Sequence, residues 1–164
     1  MTEKQILQAL KTELLAQNWT GGSNKVFGTG SVIVTTGRDR WALDTMRVPI
    51  ALIKPLDSQS DPEFGDEPNL VQFNVGVRLI TAVGGDALGE NPLLGANLTQ
   101  GATYSPGKGI FDVEQELFNA IGKLNVAEAL IIQCTQKSET ETELQGTAMV
   151  AFRDYIFETW CTAV

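Results

Sequence analysis

The stretch LVQFNVGVRLITAV, residues 70–83, decides the fold class of this chain, because apolar and polar residues alternate along it. The apolar set is Val71, Phe73, Val75, Val77, Leu79 and Val83, and the residues between them include Gln72, Asn74, Gly76 and Arg78. Successive side chains of a strand point to opposite faces, so the pattern predicts a long β-strand with one face in the core. A strand of this length also predicts a bulge or bend near Gly76.

Shorter β-rich runs lie before and after this strand. The runs before it are KVFG, SVIVTT and RVPIALIKP, and Pro49 and Pro55 indicate that the last of these lies on a sheet edge or leaves the sheet at its end. The runs after it are ALIIQCTQKSETETE and TAMVAFRDYIFETWCTA, joined by an acidic turn around Glu143 to Gly146. We expect these last two runs to form a closing hairpin.

Two amphipathic helices are predicted. The first ends near Asn18, and Thr2 and Gln5 are placed to form a capping box at its start. The second begins at Asp112, which is expected to cap it together with Gln115. Their apolar faces consist of Ile6, Leu7, Leu10, Leu14 and Leu15 in the first helix, and of Val113, Leu117, Ala120, Ile121 and Leu124 in the second.

The order helix, strands, loop, helix and hairpin predicts an α+β fold. We expect a mostly antiparallel, twisted sheet with the N-terminal helix and the second helix packed on it. With 164 residues, the chain has the length of a single domain, covering residues 1–164.

Two long irregular loops are expected, at residues 57–69 and 84–109. The first is acidic around a single aromatic residue, and the second is rich in glycine. Each is either a solvated loop or an arm that contacts a neighbouring subunit. The candidate interaction residues are Asp61, Glu63, Phe64, Asp66 and Glu67 in the first loop, and Tyr104 and Lys108 in the second.

The composition restricts the classes of function. The chain has 20 acidic residues, 12 basic residues and no histidine, for a net charge of −8. The acidic balance argues against a protein that grips nucleic acid through its phosphates, and the missing histidine excludes Ser-His and Cys-His catalysis within the chain. Cys134 and Cys161 lack the spacing of a zinc or redox motif and are interpreted as reduced core thiols. We find no signal sequence and no membrane span, and expect a cytoplasmic protein.

The sequence contains no complete motif for a catalytic, cofactor or metal site. Gly107-Lys108-Gly109 resembles a phosphate loop, but Ala102 stands where the first glycine is required and Gly109 where the Mg²⁺-binding hydroxyl is required. We expect Asp112 to occupy the amide pocket that a phosphate would need. The glycines of GTGSVIVTTG precede a strand, whereas those of a dinucleotide site follow one.

The carboxylates that invite a catalytic interpretation have simpler explanations. Glu114 and Glu116 stand two apart on a helix, so they diverge and are interpreted as a solvated face. Asp154 lies in the apolar run VAFRDYIFETW, and a cross-strand partner such as Arg78 is the preferred explanation for it.

The arrangement of elements as a whole resembles the tail terminator proteins of long-tailed bacteriophages. The resemblance rests on QILQALKTELLA, the strand ending in VRLITAV, the loop into GIFDVEQELFNAIGKL, and the closing strands ALIIQCTQ and AMVAFRDYIFETW. It implies a structural virion protein, not an enzyme, that forms a hexameric ring at the head-proximal end of the tail tube. Such a ring stops tube polymerisation and joins the tail to the head connector or stopper protein.

The resemblance also implies partners and a location. The partners are other copies of the chain, the tail tube protein and the connector, while DNA passes through the lumen without specific binding. The protein would reside in the tail or neck of the virion, and in the host cytoplasm during assembly. Another neck component, such as a head-completion or tail-completion protein, is the nearest alternative, and a small-molecule binding module or an enzyme that uses carboxylates alone is a further one.

Overall fold

The computed structural model describes residues 2–36, 48–56, 70–84, 91–95, 108–127, 131–145 and 148–162. Within these ranges the helices are α1 (Glu3–Ala16), α2 (Asn91–Leu94) and α3 (Ile110–Ala127). The strands are β1 (Val32–Val34), β2 (Ile50–Pro55), β3 (Leu70–Gly84), β4 (Ile131–Lys137), β5 (Glu141–Gln145) and β6 (Ala148–Thr162).

The six strands form one mixed sheet in the order β1-β2-β3-β6-β4, with β5 also paired to β6. β1 and β2 are parallel, and all other pairs are antiparallel. The predicted α+β fold with a mostly antiparallel sheet is therefore confirmed. β2 lies inside the sheet and not at its edge, and it ends at Pro55, where the missing N–H of proline is compatible with the end of a strand.

The long strand predicted from the alternating pattern is β3, which pairs with β6 along its whole length of 15 residues. Val75, Val77 and Leu79 are buried, as the alternation predicts. Of the bulge or bend predicted near Gly76, the bulge is wrong, because the register runs without a shift from Leu70 opposite Thr162 to Gly84 opposite Ala148, and the bend stays a prediction. Two long strands in continuous register share every ladder hydrogen bond, and nothing in the pairing requires an extra residue.

The closing hairpin differs from the prediction because its first arm is two strands. β4 pairs with the C-terminal part of β6, and β5 pairs with the N-terminal part. Ser138 fills the gap between them: its N–H donates to the Asp154 carbonyl at 2.9 Å, and its Oγ accepts from the Asp154 N–H at 3.0 Å. A register shift lies between Cys134 and Gln136 in β4.

Helix α1 has the predicted capping box. The Gln5 N–H donates to Thr2 Oγ1 at 3.3 Å, and Gln5 Oε1 accepts from the Thr2 N–H at 2.8 Å, so two amides of the first turn are satisfied. The buried stripe consists of Ile6, Leu10 and Leu14. The helix ends at Ala16, two residues before the predicted end, because Gln17 is extended.

Helix α3 begins at Ile110, earlier than predicted. Asp112 is therefore three residues after Gly109, and its carboxylate accepts the Gly109 N–H at 2.8 Å. Gln115 does not complete the cap, because its amide donates to Asn119 one turn later. The predicted apolar face is confirmed, since the side chains that form it are buried: Val113, Leu117, Ala120, Ile121 and Leu124.

The segment 84–109, expected to be an irregular loop, contains the single helical turn α2. Pro92 favours the start of a helix, and Gly95 has a φ of 95°, which suits the residue after a helix end. Leu93 packs against the core. The prediction of an irregular loop is thus wrong for residues 91–94, and the loop predicted at 57–69 lies outside the described residues.

The two faces of the sheet are covered differently. The helix face, which packs against α1 and α3, contributes Ala51, Ile53, Val77, Ala151 and Phe157 to the main core. The far face carries a smaller buried cluster of Ile50, Leu52, Ile80 and Val150. Because side chains alternate along a strand, the register assigns each β-strand residue to one of these two faces.

Candidate functional site

Most of the predicted interaction residues lie outside the described residues, namely Asp61, Glu63, Phe64, Asp66, Glu67 and Tyr104. Lys108 is described and half-buried. Its Nζ lies 5.4 Å from the centre of the Trp19 ring, a cation–π contact. Asp112 accepts the Gly109 N–H, as expected, so a carboxylate occupies the amide that a phosphate oxygen would need.

Glu114 forms the densest cluster of ionisable groups in the described part of the chain. Its Oε1 accepts from Lys137 Nζ at 2.6 Å, and its Oε2 accepts from Arg153 Nη1 at 2.9 Å and from the Tyr155 hydroxyl at 2.7 Å. Lys137 Nζ also lies 4.6 Å from the centre of the Phe118 ring. One carboxylate thus connects α3 to both β4 and β6.

The surroundings of Glu114 shift two pKa values in opposite directions. Burial alone would raise the pKa of Glu114, but hydrogen bonds from Lys137 and Tyr155 and the charge of Arg153 outweigh burial and lower it. Burial and the hydrogen bond to the Glu114 carboxylate raise the pKa of Tyr155. Glu114 is therefore ionised and Tyr155 neutral at pH 7, which holds this hydrogen bond in its stronger, charge-assisted form.

Glu116 forms a second buried cluster on the other flank of α3. Its side chain accepts from Gln17 Nε2 at 2.6 Å, from the Thr20 N–H at 2.7 Å and from Asn119 Nδ2 at 3.0 Å. Burial would raise the pKa of Glu116, but these hydrogen bonds lower it. Lys123 Nζ donates to Gln17 Oε1 at 2.6 Å, which extends the network towards solvent.

The interpretation of Glu114 and Glu116 as a solvated face is therefore wrong, although the two side chains do diverge. Glu116 is only 3% exposed, and both carboxylates flank the apolar stripe of α3. Glu116 stands three residues after Val113 and four before Ala120, so helical spacing already placed it beside the core. The burial of Glu116 could therefore have been predicted from this spacing.

An open cleft of about 760 Å³ adjoins the Glu116 network. Its walls come from the end of α1, the following turn and α3, and include Asn18, Phe118, Asn119 and Lys123. The cleft combines one aromatic ring with amides and an ammonium group, a lining suited to a small polar molecule.

The edge of the sheet formed by β4 and β5 is exposed. Ile131 is 62% exposed and Leu144 is 67% exposed, although both belong to strands. Among the described residues, β4 and β5 pair only with β6, which leaves their outer edge open. An open strand edge with exposed apolar side chains is a template for association with another chain.

Cys134 lies near this edge and carries a free thiol. It is half-buried against the core, and burial raises the pKa of the thiol. A raised pKa keeps the sulfur protonated, which agrees with the prediction of a structural thiol. The side chain of Cys161 lies outside the described part of the structure.

Across the described ranges, no group of three or more Cys, Asp or Glu side chains is arranged to hold a metal ion. Within the same ranges, none of the helices is both long and apolar enough to span a membrane. Comparison of the chain with known protein families and with curated proteins finds no matching family model and no matching protein.

Proposed function

We propose that this chain is a tail terminator of a long-tailed bacteriophage. In this role it forms a hexameric ring at the head-proximal end of the tail tube, stops addition of tube subunits and joins the tail to the head connector or stopper protein. The order of α1, β3, α3 and the closing strands supports the proposal, because it is the order on which the resemblance rests.

The observation that carries the proposal is the exposed edge of β4 and β5. Burying one leucine or isoleucine side chain contributes about 1.5–3 kcal/mol, so a second surface that covers Ile131 and Leu144 would gain stability from both. A ring subunit needs such a surface at each contact with a neighbour. In an assembly these two side chains would be buried against a neighbouring subunit, whereas in a monomer they would stay exposed.

The roles of the carboxylates and the overall charge agree with a structural protein. Glu114 accepts three hydrogen bonds from β4 and β6, and Glu116 accepts two from the segment after α1 and one from Asn119 of α3 itself, so their lone pairs are engaged in holding the fold. The net charge of −8 suits a channel for DNA, because an acidic wall repels phosphates and lets the duplex slide.

The decisive experiment uses the phage that encodes the chain. Deleting its gene is expected to give tails of abnormal, overrun length that fail to join filled heads, and a plasmid copy of the gene should restore normal particles. Purified protein should cap the ends of isolated tail tubes in negative-stain images. Tails of normal length that join heads without the protein would contradict the proposal, and normal tails that fail to join heads would favour another neck component.

The cleft beside Glu116 favours a second candidate, a small-molecule binding module. Its volume of about 760 Å³ falls in the range of ligand pockets. A compact monomer whose melting temperature rises with a small polar compound, and whose shift is lost in Phe118→Ala, would support this candidate over the ring. Gln133→Ala, on the exposed β4, is the matched control.

A further inference from the structure

We propose that Leu144 of one copy docks into the groove between α1 and the β1 edge of a second copy. This contact would join neighbouring subunits of the ring, and it rests on the proposed function.

The groove lies at the β1 edge of the sheet and has a volume of about 450 Å³. Its apolar walls are Leu7 of α1, Val34 of β1 and Pro55 at the end of β2. Val34 is 38% exposed although it is a large apolar residue in a strand. The groove therefore presents unfilled apolar surface of a size that accepts an aliphatic side chain.

The side chain that fits this groove stands at the opposite edge of the same sheet. Leu144 pairs with Met149 of β6, and residues that face each other in an antiparallel pair share a face. Met149 alternates with Val150 and stands two residues from Ala151, so Leu144 projects on the helix face. Val34 and Pro55 are also on the helix face, because they share the alternation of Ile53.

The charges of the two surfaces are complementary. Leu144 follows three exposed carboxylates, those of Glu139, Glu141 and Glu143, of which Glu141 and Glu143 pair with Phe152 and Val150 and therefore project on the far face of the same edge strand. The groove is flanked by the exposed ammonium groups of Lys4 and Lys11, with Glu3 as the one carboxylate in its wall. The edge strand as a whole is acidic and the groove is flanked by ammonium groups, so the two attract each other at longer range, whereas two acidic edges repel; this favours a head-to-tail contact over a symmetric one.

The positions of the two surfaces suit a closed ring. They are unlike patches on one chain, at opposite edges of one sheet, so each copy offers one of each. A heterologous contact of this kind closes into a ring when a whole number of copies, each rotated by the same angle, completes a full turn. Edge-to-edge continuation of a sheet also keeps the same faces on the same side, so Leu144 and the groove meet on the helix faces of both copies.

The test measures the mass of the purified full chain by light scattering over a range of concentrations. Leu144→Asp should weaken association about tenfold or more, because one apolar anchor is lost and a fourth carboxylate is added. Leu94→Asp is the matched control: it places a carboxylate at a leucine of similar exposure in α2, outside the edge of β4 and β5 and outside the lining of the groove. It should leave the ring mass unchanged.

A mixing experiment tests the direction of the contact. The double variant Lys4→Glu, Lys11→Glu keeps Leu144 but has a damaged groove, whereas Leu144→Asp keeps the groove. Each should be monomeric alone at concentrations where the wild type forms rings. An equimolar mixture should give dimers of one copy of each and nothing larger, because only one of the two contacts can form in each pair.

The outcomes separate this inference from the proposed function. Wild-type rings that are unaffected by Leu144→Asp, or equally weakened by Leu94→Asp, overturn the docking of Leu144 and leave the terminator proposal intact. Wild-type rings that need Leu144 but do not cap tail tubes overturn the terminator proposal and keep the contact. A wild-type chain that is monomeric both in solution and on tubes overturns both.

Discussion

Arg78 of β3 and Asp154 of β6 face each other directly across the two longest strands. The guanidinium donates two hydrogen bonds to the carboxylate, from Nε at 2.7 Å and from Nη2 at 2.6 Å. It also lies 5.2 Å from the centre of the Phe152 ring. The planar fork of arginine matches both oxygens of the carboxylate, so the pair fixes the register of β3 and β6 on the far face.

This ion pair leads to a prediction about stability. The side chains are 19% and 41% exposed, so solvent screens the pair and a double-mutant cycle should give a coupling of about 0.5–1 kcal/mol. Arg78→Lys keeps the charge but loses the fork, and should lose most of this coupling. Urea unfolding of Arg78→Lys, Asp154→Asn and the double variant measures it. A coupling of zero would show that the observed geometry adds nothing to stability.

Glu116 is expected to make the stability depend on acid pH. Its pKa is lower in the folded chain than the unfolded value of about 4.3, so its contribution is complete above that pH and is lost as the pH falls through the folded pKa. Glu116→Gln should lower the free energy of unfolding at pH 7 by about 1–3 kcal/mol. The variant should also lose less of its stability than the wild type as the pH falls below about 4. Urea midpoints at several pH values measure both, with the exposed Glu139→Gln as control. An unchanged acid slope would contradict the prediction.

Tyr155→Phe should lower stability by about 1–2 kcal/mol at neutral pH, because Glu114 loses one of its donors. The raised pKa of Tyr155 adds an alkaline effect. Since the unfolded chain ionises this tyrosine first, its contribution is complete below the unfolded pKa of about 10 and falls as the pH rises above it. The variant should therefore lose less stability than the wild type between neutral and strongly alkaline pH. Equal slopes in the two proteins would refute this role.

Two glycines of the α3 region should respond oppositely to alanine. At Gly109, a Cβ atom would overlap the backbone carbonyl of Leu93, so Gly109→Ala must displace α2 and should cost about 1–3 kcal/mol. At Gly122, inside α3, a Cβ would meet no atom within 4 Å. Gly122→Ala should therefore raise stability by about 0.5–1 kcal/mol, because alanine is the better helix former. Thermal unfolding of both variants tests the two predictions. A Gly109→Ala variant as stable as the wild type would show that α2 can shift at little cost in free energy.

Lys108 should have no role in nucleotide binding, because its ammonium group lies over Trp19 and Asp112 takes the adjacent amide. We expect no rise in melting temperature with ATP and Mg²⁺, and an assembly activity that is unchanged in Lys108→Ala. The variant should lose about 0.5–1 kcal/mol of stability with the cation–π contact and alter Trp19 fluorescence. An ATP-dependent thermal shift that Lys108→Ala abolishes would overturn this expectation.

Local periodicity in the sequence determined the features that need few distant partners. The alternation in residues 70–83 predicts β3, and the apolar spacing of the two helices predicts their buried faces, because burial repeats with the period of the backbone. The capping box of Thr2 and Gln5 is confirmed for the same reason, since its groups are three residues apart. The partner of Asp154 was predicted correctly because an isolated charge in an apolar strand needs an opposite charge beside it.

Only the tertiary structure decided the features that depend on residues far apart in the chain. Gln17 and Glu116 are 99 residues apart, and only the packing of α1 against α3 turns Glu116 from a surface charge into a buried acceptor. The break between β4 and β5 depends on the hydrogen bonds of Ser138 to Asp154 in β6. The parallel pairing of β1 with β2 depends on the arrangement of the whole sheet. Propensity along the chain cannot choose among such pairings, because each is selected by the burial and hydrogen bonds that all the elements achieve together.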